Sequence, residues 1–338
     1  MCADPATSSR QNDRWGSACH DLGMGVPETG SVSMRLYPHN ELGSATAVVD
    51  EMRAQARLAA DAGFAGVMTS EHHGGFAGYS PNPLQLAGWL LEAMPTGWAA
   101  ACPLLLPLRP VRLVAEEVAW LAARFPDRVA VGVAPGALPL DFEAMDVPFD
   151  EMMPRFRAAL PRLTAMLRGE DLGPLEGDLA LQACASDPVT VISTALSPPA
   201  VRRAAGVGAG IVYDGASPVD RLRPLSDVYD AVGGTGPKVL IRRVWLGDPP
   251  REAFDRQADV YRSYSSASAQ QHWRDNGFLC REDPAELAQD LAEAAAAAGA
   301  TCLNLRVHVP GVTPDMARAQ ITALGQRVLP LLGPLLRS

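Results

Sequence analysis

Lysine is almost absent from this chain of 338 residues: Lys238 is the only one. Basic residues total 29 against 38 acidic ones, a formal net charge of −9, so nearly every positive charge is an arginine. That balance leaves no electrostatic footprint for a polyanion, and nucleic acid is not an expected partner. Any bound phosphate must be held by arginine, by hydroxyls or by backbone N–H groups. Cysteine is scarce too, with 6 in the chain, at positions 2, 19, 102, 184, 280 and 302, and no zinc or redox spacing among them. A structural metal and a disulfide framework are therefore not expected, and a reducing cytoplasm is the simplest location. No uncharged apolar run reaches the ~18 residues that a membrane span needs. The first 30 residues carry Arg10, Asp13, Arg14, His20 and Asp21 and do not resemble a secretory leader.

What is present suits one sizeable core, since 48% of the residues are hydrophobic. Residues 1 to 30 show neither helical nor strand periodicity and read as a flexible tail; 31 to 338 read as a single domain. Within it, short apolar or β-branched runs alternate with longer helical patterns. The strand candidates are 32 to 37, 64 to 69, 97 to 102, 129 to 133, 189 to 193, 209 to 213, 238 to 245 and 302 to 307. Helices are expected over 110 to 124, where Val111, Val114, Val118 and Leu121 form one face, over 284 to 298 with Gly299 as cap, and from Pro314. Runs such as Val129-Ala-Val-Gly-Val133 are apolar throughout, as parallel strands covered on both faces require. The expected fold is α/β, a (β/α)8 TIM barrel with insertions at 169 to 188 and 263 to 283. A doubly wound sheet is the rival, but it usually has fewer strands and a phosphate turn after its first strand.

Barrel active sites lie at the C-terminal ends of the strands, which draws attention to Ser70-Glu71-His72-His73. Adjacent histidines diverge in extended chain, so they cannot share one metal ion, and no metal site is expected. Glu71 and His72 are expected to pair, with His73 structural or facing solvent. Cys102-Pro103 closes the third strand, with a proline that ends the ladder or adopts a cis bond. Ala134-Pro-Gly136 allows close backbone approach to a flat ligand. Ser197-Pro198 reads as N-cap and N1 of a helix able to hold an anion. Alternation sends Arg242 and Arg243 to opposite faces, so one of them points into the mouth.

Several segments, in order and at similar spacing, resemble the bacterial luciferase-like flavin-dependent oxidoreductases. They are Ala62-Gly-Phe-Ala-Gly-Val-Met-Thr-Ser-Glu-His-His73, Tyr79-Ser-Pro-Asn-Pro83, Leu106-Pro-Leu-Arg-Pro-Val111, and Arg128 through Gly136 with Asp141-Phe142. The later segments Ser197 to Gly206, Asp283 through Gly299 and Val328-Leu-Pro330 extend the similarity over roughly residues 32 to 333. The resemblance implies a (β/α)8 barrel, usually dimeric, binding a reduced flavin or a deazaflavin at the strand C-termini. It implies that His72 is catalytic with Glu71 as companion, and that Cys102 and Pro103 form the wall behind the flavin ring. It also places Ser197 at the cofactor phosphate. Ala134, Pro135 and Ala200 depart from the luciferase itself, which has a cysteine, an arginine and a hydroxyl there; Arg242, Arg243 or Arg306 is expected to replace the lost grip.

The expected activity is a monooxygenase using reduced FMN and dioxygen on a small apolar organic substrate, with a separate flavin reductase and a homodimer as expected partners. The alternative cofactor is a deazaflavin, coenzyme F-420, moving a hydride; the arginine-, alanine- and proline-rich composition suits it. Alternatives of another class are a non-catalytic flavin-binding dimer partner and a metal-dependent barrel hydrolase. Loops 74 to 80, 135 to 147 and 263 to 283 are expected to line the substrate pocket, with Phe76, Tyr79, Phe142, Tyr261 and Tyr264 giving it an apolar character.

Overall fold

Strands that are apolar on both faces need cover on both, and the chain supplies it by closing its sheet into a barrel. The computed structural model describes residues 26–74, 79–215, 217–253, 255, 278–309 and 311–337. The strands are β1 (Val32–Arg35), β2 (Gly66–Thr69), β3 (Trp98–Leu105), β4 (Val129–Ala134), β5 (Thr190–Thr194), β6 (Gly210–Tyr213), β7 (Lys238–Leu246), β8 (Phe278–Arg281) and β9 (Cys302–Arg306). All pairings are parallel, in the order β6-β5-β4-β3-β2-β1-β9-β7-β8, and a further β6–β7 pairing closes the ring. Eight strands therefore make the barrel, matching the eight expected. β8 lies outside it and pairs Phe278 to Arg281 with the C-terminal end of β7. The sequence reading placed a loop there, because four residues after a serine-rich stretch carry no usable period.

The helices include α1 (Ala45–Asp61), α2 (Pro83–Ala93), α3 (Val111–Arg124), α4 (Pro139–Glu143), α5 (Met152–Met166), α6 (Leu179–Ala183), α7 (Pro198–Gly206), α8 (Val219–Ala231), α9 (Pro284–Ala298), α10 (Pro314–Ala323) and α11 (Leu329–Leu336). Pro110 is the N-cap of α3, one position before the first turn. Gly299 ends α9 in the left-handed region at φ 65°, as expected of its cap. The insertion expected over 169 to 188 is partly helical, containing α6; that expected over 263 to 283 falls outside the described residues except for β8 and its flanks.

Inside the ring, Met68, Trp98, Ala100, Cys102, Ala130, Ile192, Val212, Val239 and Cys302 pack together, with Val26 against them. Residues 26 to 30 thus belong to the barrel floor: the Gly30 N–H donates to Thr301 O at 2.8 Å. The rest of the expected tail, 1 to 25, lies outside the described residues. A larger cluster between strands and helices, from Met34 and Val67 on the strands to Leu287 and Ile321 on the helices, forms the main core. Lys238 begins β7 at the floor, its ammonium 2.7 Å from Asp230 of α8 and its side chain 10% exposed.

Candidate active site

β2 ends at Thr69, and the next residues run on in extended form: the Glu71 N–H donates to Pro103 O at 3.0 Å and the His72 N–H to Ser80 O at 3.2 Å. The two histidines diverge as an extended chain requires. His72 faces a cavity of about 930 Å³ at the C-terminal mouth of the barrel. His73 turns inward, its side chain 7% exposed, with Nε2 3.0 Å from Glu71 Oε1.

The partner of His72 is Asp141, on the short helix α4 that follows the β4 loop. Nδ1 of His72 lies 2.8 Å from Asp141 Oδ2, while Asp141 Oδ1 accepts the His73 backbone N–H at 2.7 Å. The carboxylate is 1% exposed, so both of its oxygens are fixed by protein donors. A neutral His72 then carries its proton on Nδ1 and leaves Nε2 as its acceptor nitrogen. Tyr79 packs edge-on to the His72 ring at 4.5 Å, Tyr37 packs edge-on to Tyr79 at 4.9 Å, and the Arg306 guanidinium lies over Tyr37 at 3.9 Å. Arg306 is held in turn by His308 O, at 2.7 Å from Nε.

Glu71 takes a different part from the one expected. Its side chain is fully buried and accepts from the Leu105 N–H at 2.5 Å and from Arg109 Nη2 at 2.7 Å, besides its contact with His73. It makes no bond to His72. The expected Glu71–His72 pair is therefore replaced by His72–Asp141, because alternation along the chain turns residue 71 away from 72 and toward 73 and the end of β3.

The cavity wall includes His72, Glu71, Pro103, Ala134, Gly136 and Ser197 from the residues expected at the site, and it omits two. Cys102 lies behind Pro103, fully buried in the barrel interior, where burial pushes its thiol up and nearby Arg35 partly offsets this. The Cys102–Pro103 peptide bond is cis. Arg242 is on the outer face of β7, its Nη1 donating to Ile241 O at 2.9 Å. Arg243 stands on the wall instead, in phase with Ile241 on the wall and Val239 in the interior. Gly136 has φ 92°, and a Cβ there would meet the Phe142 ring at 2.8 Å, so glycine is required for Ala134 to Ala137 to form a flat wall over that ring.

Ser197 is the N-cap of α7, as expected, but its hydroxyl caps nothing. Pro198 and Pro199 remove the N–H groups of the first two helical positions, and Val201 N–H is used by Ser197 O. Of the expected anion-binding donors only the Ala200 N–H and the Ser197 hydroxyl remain. Arg203, two positions past Val201 on the same wall, adds a guanidinium over the Phe156 ring at 5.9 Å. Burial, and then the charge of Arg157, pull the pKa of Arg203 below its ordinary value.

Sequence reading missed Asp141 as the partner of His72, although it stood among the quoted residues. It also missed Arg35, whose guanidinium is 2% exposed in the cavity floor and donates from Nε to Asn304 Oδ1 at 2.7 Å and from Nη1 to Ser70 Oγ. An arginine inside an apolar strand pattern was the available signal for the second. Among the described residues no group of three or more His, Cys, Asp or Glu could hold a metal, and no helix is long and apolar enough to cross a membrane.

A family model described as luciferase-like monooxygenase matches residues 32–327. No curated protein matches the chain. Among solved structures, the monooxygenase RslO1 from Streptomyces bottropensis is similar, at 18% identity and a TM-score of 0.72, over 89% of this chain and 99% of that one. The oxygenating constituent of 3,6-diketocamphane monooxygenase from Pseudomonas putida, in complex with FMN, gives 18% identity and 0.69 over 89% and 98%. An F-420-dependent secondary alcohol dehydrogenase in complex with an F-420-acetone adduct gives 16% and 0.67 over 90% and 99%. With a family model that spans nearly the whole barrel, the chain belongs to the luciferase-like monooxygenases, a family of flavin- or deazaflavin-dependent oxidoreductases.

Proposed function

We propose that the protein is a monooxygenase that uses reduced FMN and dioxygen on a small apolar organic substrate, with His72 as its proton-transfer residue. The observation that carries this reading is the His72–Asp141 pair at the edge of the 930 Å³ mouth cavity. The residues present fit a flavin. Pro103, Leu105 and Ala134 to Ala137 give a low wall without long side chains, against which a flat ring can lie. Ser197, the Ala200 N–H and Arg203 give hydroxyl, amide and cation for its phosphate along one helix face. Bound reduced FMN supplies the electrons with which dioxygen is activated.

The chain's own residues do the rest. Asp141 holds His72 at Nδ1, so Nε2 takes or delivers a proton at the cavity. Tyr37 and Tyr79 wall off that edge and limit water, and Glu71 fixes the end of β3 behind Pro103. Hydride transfer with coenzyme F-420 is the second reading, favoured by the F-420-dependent neighbour, since nothing in the wall is specific to dioxygen. A homodimer and a separate flavin reductase complete the proposal by family analogy, in a reducing cytoplasm.

The test is reconstitution followed by turnover. Tight binding of reduced FMN with oxygen consumption on an added ketone or aromatic substrate is expected. Tight deazaflavin binding without affinity for FMN selects hydride transfer, and a His72→Ala protein with unchanged turnover revives the non-catalytic reading.

A further inference from the structure

Among the described residues, Arg35 is a buried cation with no acidic partner. Its side chain is 2% exposed, yet its guanidinium is met by an amide oxygen of Asn304, the hydroxyl of Ser70, the Met68 sulfur at 3.9 Å and the Cys102 thiol, which burial keeps neutral; none of the four carries a negative charge. No carboxylate of the described residues lies within ion-pair distance of it. Of the acidic groups on the same wall, Glu71 is engaged by Arg109 and Asp214 by the N–H and hydroxyl of Ser217 at 2.6 and 3.2 Å, and the exposed Asp255 forms no ion pair with Arg35. A charge removed from water in this way is costly unless something opposite reaches it. The residue borders the cavity directly.

The surroundings hold Arg35 rigidly for that purpose. It stands on β1 with its Nε bonded to Asn304 of β9, and Asn304 Nδ2 donates to Ser33 Oγ at 2.8 Å. The fork is thus pinned on one side by the barrel interior and presents its other side to the floor of the mouth. Such a planar, delocalised cation matches a planar ligand edge that carries delocalised negative charge.

We propose that Arg35 is the recognition residue for an anionic ring: it pairs with the negatively charged pyrimidine edge of the bound tricyclic cofactor, and so makes the site select the ionised ring over the neutral one. This rests on the flavin reading above and adds to it a basis for choosing between redox states. For FMN, the oxidised ring is neutral and the reduced ring ionises near neutral pH, so the reduced form is the one selected. For an 8-hydroxy deazaflavin, the oxidised ring is itself an anion, so the oxidised form gains the same contact.

Equilibrium binding measured anaerobically by fluorescence or calorimetry tests this. The wild-type protein is expected to bind reduced FMN at least ~10-fold more tightly than oxidised FMN above pH 7, as a charge-assisted hydrogen bond implies, with the ratio shrinking as pH falls and the ring is protonated. Arg35→Met is expected to bring the ratio to about one and Arg35→Lys to retain part of it; the absorbance of the bound reduced ring should shift toward the neutral form in Arg35→Met alone. Should Arg35→Met not fold, the wild-type pH series still decides, because a ratio that does not change with pH overturns the proposal. If FMN is refused and oxidised deazaflavin binds more tightly above the pKa of its hydroxyl than below it, the same contact serves the other cofactor. Equal affinity for charged and neutral rings of either cofactor sinks the proposal and leaves the flavin reading standing; no binding of any of them sinks both.

Discussion

On the proposed reading, a ring that moves protons must be held at one nitrogen to be useful at the other, and at position 72 that hold includes one carboxylate oxygen of Asp141. Asp141→Asn keeps an oxygen for the His73 N–H but sets an NH2 group against His72 Nδ1, forcing the reversed tautomer. We expect kcat to fall by about 100-fold with KM and cofactor affinity little changed, while His72→Ala costs a similar or larger factor. Steady-state kinetics beside binding titrations separate these effects; a parallel loss of cofactor binding would assign Asp141 to the pocket's shape instead. Glu71 yields a prediction of another kind. Removing its carboxylate leaves the Leu105 N–H and Arg109 without their acceptor in a buried place. Glu71→Ala should therefore lose about 3 to 5 kcal/mol of stability in denaturant unfolding.

The barrel strands and the helices α3, α9 and α10 were legible because runs such as β4 are apolar throughout and those helices carry periodic faces or clear caps. Tertiary accidents of register were not. Which of Arg242 and Arg243 points inward depends on the phase of β7 within the closed ring, and the pairing of Arg243 with Phe278 belongs to a strand too short to announce itself. Asp141 is 69 residues from His72 and meets it only because the β4 loop folds back over β2. Glu71 was legible as a residue and not as a partner, since apart from His73 its neighbours are Leu105 at the end of β3 and Arg109 between β3 and α3. The double proline of α7 was visible in the sequence, and its cost in N–H donors could have been counted there. At the same scale, β4 passes so close to β3 that a Cβ on Gly132 would lie 2.1 Å from Cys102 Sγ. Gly132→Ala should cost at least 1 to 3 kcal/mol by overpacking, seen as a lowered melting temperature. An unchanged melting temperature would mean that the interior layer is looser than its packing implies.

Beyond the site, a polar chain ties the mouth to the outer helices. Gln55 of α1 donates to His39 Nε2 at 2.9 Å and to Glu51 at 2.7 Å and accepts from His308 Nε2 at 2.6 Å, and Glu51 is bonded to Arg318 of α10. Burial, then the charges of His39 and Arg306, hold His308 well below the usual histidine value of 6.5. The unfolded chain therefore binds the extra proton first. This contribution to stability is whole above pH 6.5 and is lost as pH falls from there toward the folded value, at about 1.4 kcal/mol per pH unit. His308→Gln should lower stability at pH 8 yet flatten its decline between pH 6.5 and 5; an equal slope in both proteins would assign the decline to other groups.

The floor of the barrel has a practical corollary. With its one lysine clasped by Asp230 beneath β7, the folded protein offers amine-directed reagents scarcely any side chain to acylate. A fluorophore ester at neutral pH should therefore leave Lys238 unmodified in the native molecule and reach it only when the barrel opens.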